Sequence, residues 1–115
     1  MSMALDTLGA FNTLLDKALR EADPDDAGGV IATVDGIVYL FTSGSLKVRQ
    51  FGKFEDVSGY RGYALQRVFD NAPAIYVQMV DAAESRRTAR ESEATQMLKS
   101  AEKLQRWMAE KKVKG

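Results

Sequence analysis

The stretch Leu46 to Tyr63, LKVRQFGKFEDVSGYRGY, interleaves the cations Lys47, Arg49, Lys53 and Arg61 with the rings Phe51, Phe54, Tyr60 and Tyr63. Cations at this density can follow a phosphate backbone, and flat rings between them offer faces on which bases stack. That combination holds a single strand without reading its sequence. Tyr39 and Phe41, a few residues earlier, add two more rings. Duplex DNA hides its base faces, so such a surface should prefer single strands. Within this stretch, Gly59 to Tyr63 (GYRGY) has the composition of a mobile loop that folds over a bound strand, and equally of a turn whose tyrosines lie on a neighbouring helix.

Composition removes most other chemistry. The 115 residues contain no cysteine and no histidine, so disulfides, zinc sites and Ser/His or Cys/His machinery are excluded. No glycine pattern matches a phosphate-binding loop or a dinucleotide fingerprint. Asp23, Asp25 and Asp26 lie close together. Counting Asp23 as the first position of a calcium loop puts Gly28 at the sixth, as required, but Val34 at the twelfth, where a glutamate is needed. We therefore expect no metal, no cofactor and no catalytic residues, and the chain reads as a non-enzyme.

No apolar run approaches the 18 or so residues of a membrane span, and Met1 to Ala10 lacks the cationic start and apolar core of a secretory signal. The expectation is a soluble, cytoplasmic protein. Formal charge sums to zero but is unevenly placed: residues 1–44 carry seven acids and two bases, residues 45–73 three and five, and residues 74–115 six and nine. An acidic front and a basic remainder can present a positive surface to a polyanion, or bring copies together head to tail.

The elements that must position these groups follow from periodicity. Apolar Leu8, Phe11, Leu15, Ala18 and Leu19 recur at helical spacing and predict an amphipathic helix over 5–21, capped by Asp6 or Thr7. The loop Asp23 to Gly29 ends it. Val30 to Val34 and Ile37 to Thr42 flank Asp35-Gly36, a hairpin signal. Ser43, Gly44 and Ser45 lead into a further strand, giving an antiparallel meander over 30–57. With two residues in the first turn and three in the second, Ile31, Thr33, Val38, Leu40, Leu46 and Val48 share a core face. The opposite face then gathers Tyr39, Phe41, Lys47, Arg49, Phe51 and Lys53, open to solvent or buried beneath the first helix or a neighbouring subunit.

Beyond the meander the sequence predicts a short helix over 63–69, a strand over 74–80 after Pro73, and a long helix over 81–112. Arg86, Arg87 and Arg90 on that helix either contact phosphates or are simply solvated, as is a basic tail of Lys111, Lys112 and Lys114. Met97, Ala101, Leu104, Trp107 and Met108 form an apolar stripe that needs a partner, and are read as an oligomer interface. The fold class is α+β in one domain, assembled as a dimer or tetramer.

A basic-aromatic antiparallel sheet followed by a long helix resembles small single-strand-binding transcription coactivators whose dimers use sheet surfaces for DNA. The chain also looks like the single-stranded-DNA-binding RNA polymerase cofactors of lytic tailed bacteriophages. That resemblance, carried by residues 30–63 and the terminal helix, implies a homo-oligomer in the host bacterial cytoplasm that binds single-stranded DNA and assists an RNA polymerase in transcription. The site residues under this reading are Tyr39, Phe41, Phe51 and Tyr60 for stacking and Lys47, Arg49, Lys53 and Arg61 for phosphates. The competing reading is a non-enzymatic assembly adaptor that oligomerises through its sheet and C-terminal helix.

Overall fold

A computed structural model describes residues 3–25 and 29–114. Helix α1 (Met3–Ala22) leads into four antiparallel strands, β1 (Val30–Val34), β2 (Ile37–Thr42), β3 (Ser45–Gln50) and β4 (Lys53–Asp56), in sheet order β1-β2-β3-β4. A 3-10 turn (Val57–Gly59) then opens helix α2 (Gly62–Lys114), 53 residues long. The architecture is the α+β class expected from the sequence. At about 1.5 Å per residue α2 runs roughly 80 Å, and it sets the long axis of a molecule measuring 77 × 27 × 19 Å.

α1 buries Leu8, Leu15, Leu19 and Ala22, one stripe of its surface. It starts at Met3, ahead of the expected Leu5, and Thr7 donates back to the Met3 carbonyl (2.8 Å) and so does not serve as the cap. Its core partners are Val30, Ala32, Tyr39, Phe41, Leu46 and Val48 from one face of the sheet, and Leu65, Val68, Ile75, Met79 and Ala83 from α2. α2 runs beside the outer edge strand β1, where the Gln78 side-chain oxygen accepts from the Thr33 amide (3.2 Å). An edge N–H is thereby satisfied and shielded from pairing with another chain.

Two expectations are corrected here. The separate helix 63–69, strand 74–80 and helix 81–112 are one continuous α2. Ala74 to Val80 is rich in strand formers and follows a proline, but Leu65, Val68, Ile75, Met79 and Ala83 recur at helical spacing and are all buried. Packing that stripe against α1 and the sheet outweighs both local propensity and the roughly 3 kcal/mol cost of an interior proline. The strand that completes the sheet is instead β4, inside the expected meander. Asp26, Ala27 and Gly28 of the acidic loop lie outside the described residues.

Candidate nucleic-acid interface

Three successive hairpins share one device. Asp35-Gly36, Ser43-Gly44 and Phe51-Gly52 all have positive φ at both positions, from 49° to 79°, the pattern of two-residue type I′ turns whose twist matches the strands they join. The second turn therefore holds two residues, Thr42 pairing with Ser45, and not the three expected from the sequence. One residue of slip inverts every side chain that follows. Phe41 and Tyr39 consequently pair across β2-β3 with Leu46 and Val48 on the core face. Lys47 and Arg49 turn to the opposite face, with Ile31 and Leu40.

The expected flat surface of rings and cations is accordingly not formed. Tyr39 is 1% exposed and Phe41 4%, and both sit in the core that was expected to lie on the other side of the sheet. Burial of Tyr39 is matched by a hydrogen bond: its hydroxyl accepts from Asn71 Nδ2 at 3.0 Å. Lys47 is half-buried, its Nζ donating to the Thr42 carbonyl (3.1 Å) and to Ser45 Oγ (2.9 Å). The Arg61 guanidinium donates to the Ser58 and Tyr60 carbonyls at 2.9 and 2.7 Å and so braces its own loop. Lys53 is exposed beside Gln50.

A smaller constellation survives at the open end of the sheet. Tyr39, Arg49, Gln50, Phe51, Tyr60 and Arg67 line a cleft of about 460 Å³ between the β1-β2 and β3-β4 turns and the start of α2. Tyr39 contributes to its wall from the core. Tyr60 is half-buried and its hydroxyl accepts from Gln50 Nε2 (3.0 Å). The ring is held there by the 3-10 turn: Asp56 accepts from the Ser58 amide (2.8 Å), and the Tyr60 amide donates to the Val57 carbonyl (2.9 Å). The Ser58 amide, with smaller help from the Ser58 and Ser45 side chains and Lys47, holds the Asp56 carboxyl below its ordinary 3.8 against the opposing effect of burial.

Phe51 is the exception to the local chemistry. It occupies the first position of its turn at φ 49°, with its ring fully exposed. Asp and Ser fill that place in the other two turns. A bulky residue in the left-handed region carries a penalty that short polar side chains largely escape, and here no burial offsets it. Strain of this kind points toward a use for the ring.

Arg67 is a cleft residue that sequence reasoning missed. Its signal was the spacing from Ala64, three residues along a helix, which puts both on the cleft wall. The first turn of α2 contains no acid, so the partial positive charge of its N-terminus is uncompensated locally. Together the cleft offers an exposed ring at its rim, a hydroxyl-bearing ring, the Arg67 guanidinium and a helix start, with Arg49 at the edge on the outer face of the sheet. That suits an anionic ligand with a flat portion. Among the described residues no group of three or more acidic side chains gathers to hold a metal ion. No described helix is long and apolar enough to cross a membrane.

Arg86, Arg87 and Arg90 of α2 have structural partners. Arg86 and Arg90 bind Asp23, and Arg87 Nε donates to Glu91 at 3.0 Å. Met97, Leu104, Trp107 and Met108 are 74%, 54%, 55% and 47% exposed, and Ala101 is exposed as well. Lys111 lies over the Trp107 ring, 5.8 Å from its centre. The side chain of Lys114 lies outside the described residues. Comparison with protein-family models, with curated proteins and with solved structures finds no match to this chain.

Proposed function

We propose that this chain binds single-stranded DNA with little sequence preference, through the rim of the cleft and not through a flat sheet. The observation that supports it is the exposed Phe51 ring, held at positive φ at the rim of the cleft that Tyr60 and Arg67 line. Phe51 stacks on a base, Tyr60 lines the wall beside it, and Arg49 and Arg67 take the flanking phosphates, with Lys53 as a peripheral cation. One stacked base contributes about 1–3 kcal/mol, so each chain binds weakly and salt-sensitively. The resemblance to phage RNA polymerase cofactors extends the reading to a role in transcription.

Fluorescence anisotropy with labelled single strands, duplexes and RNA across a salt series tests it. The expected result is a preference for single strands over duplex, with affinity falling linearly in log salt. Arg49→Ala and Arg67→Ala should each flatten that slope by about 0.7 for every phosphate no longer neutralised. No binding at low salt, or slopes indifferent to both substitutions, refutes the assignment.

A second reading, the assembly adaptor, is favoured by an apolar groove between the helices, lined by Phe11, Leu14, Phe69, Pro73, Tyr76 and Val77. Under it the cleft is incidental and the groove receives a protein partner.

A further inference from the structure

The exposed stripe at the end of α2 continues the face that the same helix buries near its start. Eighteen residues make five whole turns, and Met79 and Ala83, both 0% exposed, recur eighteen residues on as Met97 and Ala101. Arg86 and Arg90, which grip Asp23, recur as Leu104 and Met108. The Asp23 clasp thus marks the point where the chain's own core ends. Beyond Arg90 every described residue is exposed, leaving more than 20 helical residues without the tertiary packing of an apolar face from which most helical stability in proteins comes.

We infer that residues 93–112 of α2 pair with the same segment of a second copy, running antiparallel. Sterics select the direction. The sheet and α1 occupy the stripe side of α2 in its first half, so a parallel partner helix would drive a second body into the space the first one fills. An antiparallel partner places the two bodies at opposite ends.

Charge agrees. Residues 93–102 carry Glu93, Glu102 and Lys99, net −1; residues 103–112 carry Lys103, Arg106, Lys111, Lys112 and Glu110, net +3. Antiparallel pairing sets each +3 half against a −1 half, whereas parallel pairing sets +3 against +3. Side-chain size agrees as well. When paired positions sum to 205, Ala101 lies opposite Leu104 and Met97 opposite Met108, small against large and flexible against flexible. Trp107 and Leu98 on the flanks widen the apolar contact. Both segments come from the same sequence, so this complementarity requires no other protein.

The chain has no cysteine of its own, so spin labels can be placed singly at the exposed Gln96→Cys, Glu102→Cys and Glu110→Cys in the full-length protein. Light scattering should give the mass of two chains, or of four as paired pairs. Pulsed electron resonance should give the shortest label-to-label distance at 102. At 96 and 110 the labels should be roughly 20 Å further apart along the axis, because each step from the centre adds two rises of about 1.5 Å. Leu104→Glu, at a position far from the folded body, should return a monomer and shift emission of the single Trp107 to the red. Equal distances at all three positions overturn the antiparallel arrangement. A single-chain mass at the highest soluble concentration overturns self-pairing and leaves the stripe to a different protein. Loss of nucleic-acid binding in Phe51→Ala with the distances intact would separate this pairing from the fate of the cleft.

Discussion

Asp23 and Arg90, 67 positions apart, meet with Arg90 Nη1 2.9 Å from Asp23 Oδ2, and Arg90 Nη2 also reaches Oδ1. The Asp23 side chain is sealed from solvent. Arg86 adds Nε at 3.3 Å, and spends Nη1 on the Gly29 carbonyl at 3.1 Å. The end of α1 and the approach to β1 are therefore fastened to one turn of α2. Asp23→Ala leaves two guanidiniums without their shared carboxylate, the damaging way to break a buried pair. A melting temperature lowered by several degrees is expected in thermal unfolding, and an unchanged one would show that the clasp is dispensable.

Acid should act through the same residue. Hydrogen bonding and charge from Arg90, then Arg86, hold the folded Asp23 carboxyl below its ordinary 3.8 despite the opposing effect of burial, and Asp56 is lowered too. Below 3.8 the unfolded chain takes up these protons while the folded chain still resists. The stabilisation is thus complete above that pH and is lost as pH falls toward the folded values. Denaturant midpoints measured from pH 6 down to pH 2 should decline below about 4, and Asp56→Asn together with Asp23→Asn should flatten the decline.

Replacing Phe51 separates stability from use. Phe51→Asn relieves the left-handed strain and should raise stability by about 1 kcal/mol, while weakening single-strand binding by about 1–3 kcal/mol as stacking is removed. Urea titration and anisotropy on the same preparation give both numbers. A variant that binds as well as the parent would remove the functional reason for the exposed ring.

Tyr39 supplies the control. Tyr39→Phe leaves Asn71 Nδ2 without its acceptor and should cost about 1 kcal/mol, with single-strand binding unaltered because the ring is core. Tyr39→Ala should cost about 3–5 kcal/mol, as large aromatic-to-alanine changes in cores do. If Tyr39→Phe lowered affinity without lowering stability, the hydroxyl would have to be reassigned to the cleft.

Pro73 lies inside α2 with an exposed ring. It removes a donor to the Phe69 carbonyl and crowds that oxygen, though it also restricts the unfolded chain. Pro73→Ala should stabilise by about 1–2 kcal/mol net, read from chemical denaturation. Destabilisation would mean that the proline ring's packing along the groove outweighs its backbone cost.

Several features were legible in the residues alone. The α1 stripe, the Asp35-Gly36 hairpin, the meander and the apolar line from Met97 to Met108 depend on spacing and turn chemistry within a few residues of each other, and local patterns report such things directly. Phe51, Arg49 and Tyr60 were picked out by type, and the cleft does collect them.

Tertiary structure decided the rest. A single residue of turn length, two and not three between Thr42 and Ser45, chose which face of β3 carries Lys47 and Arg49 and sent Tyr39 and Phe41 inward; both registers are compatible with the sequence until one face must be buried. Continuity of α2 through Pro73 likewise arose from packing Ile75, Met79 and Ala83, which no local propensity could weigh. The Asp23–Arg90 clasp joins residues far apart in the chain, and proximity of that kind exists only once α2 has been laid along α1 and the edge strand β1.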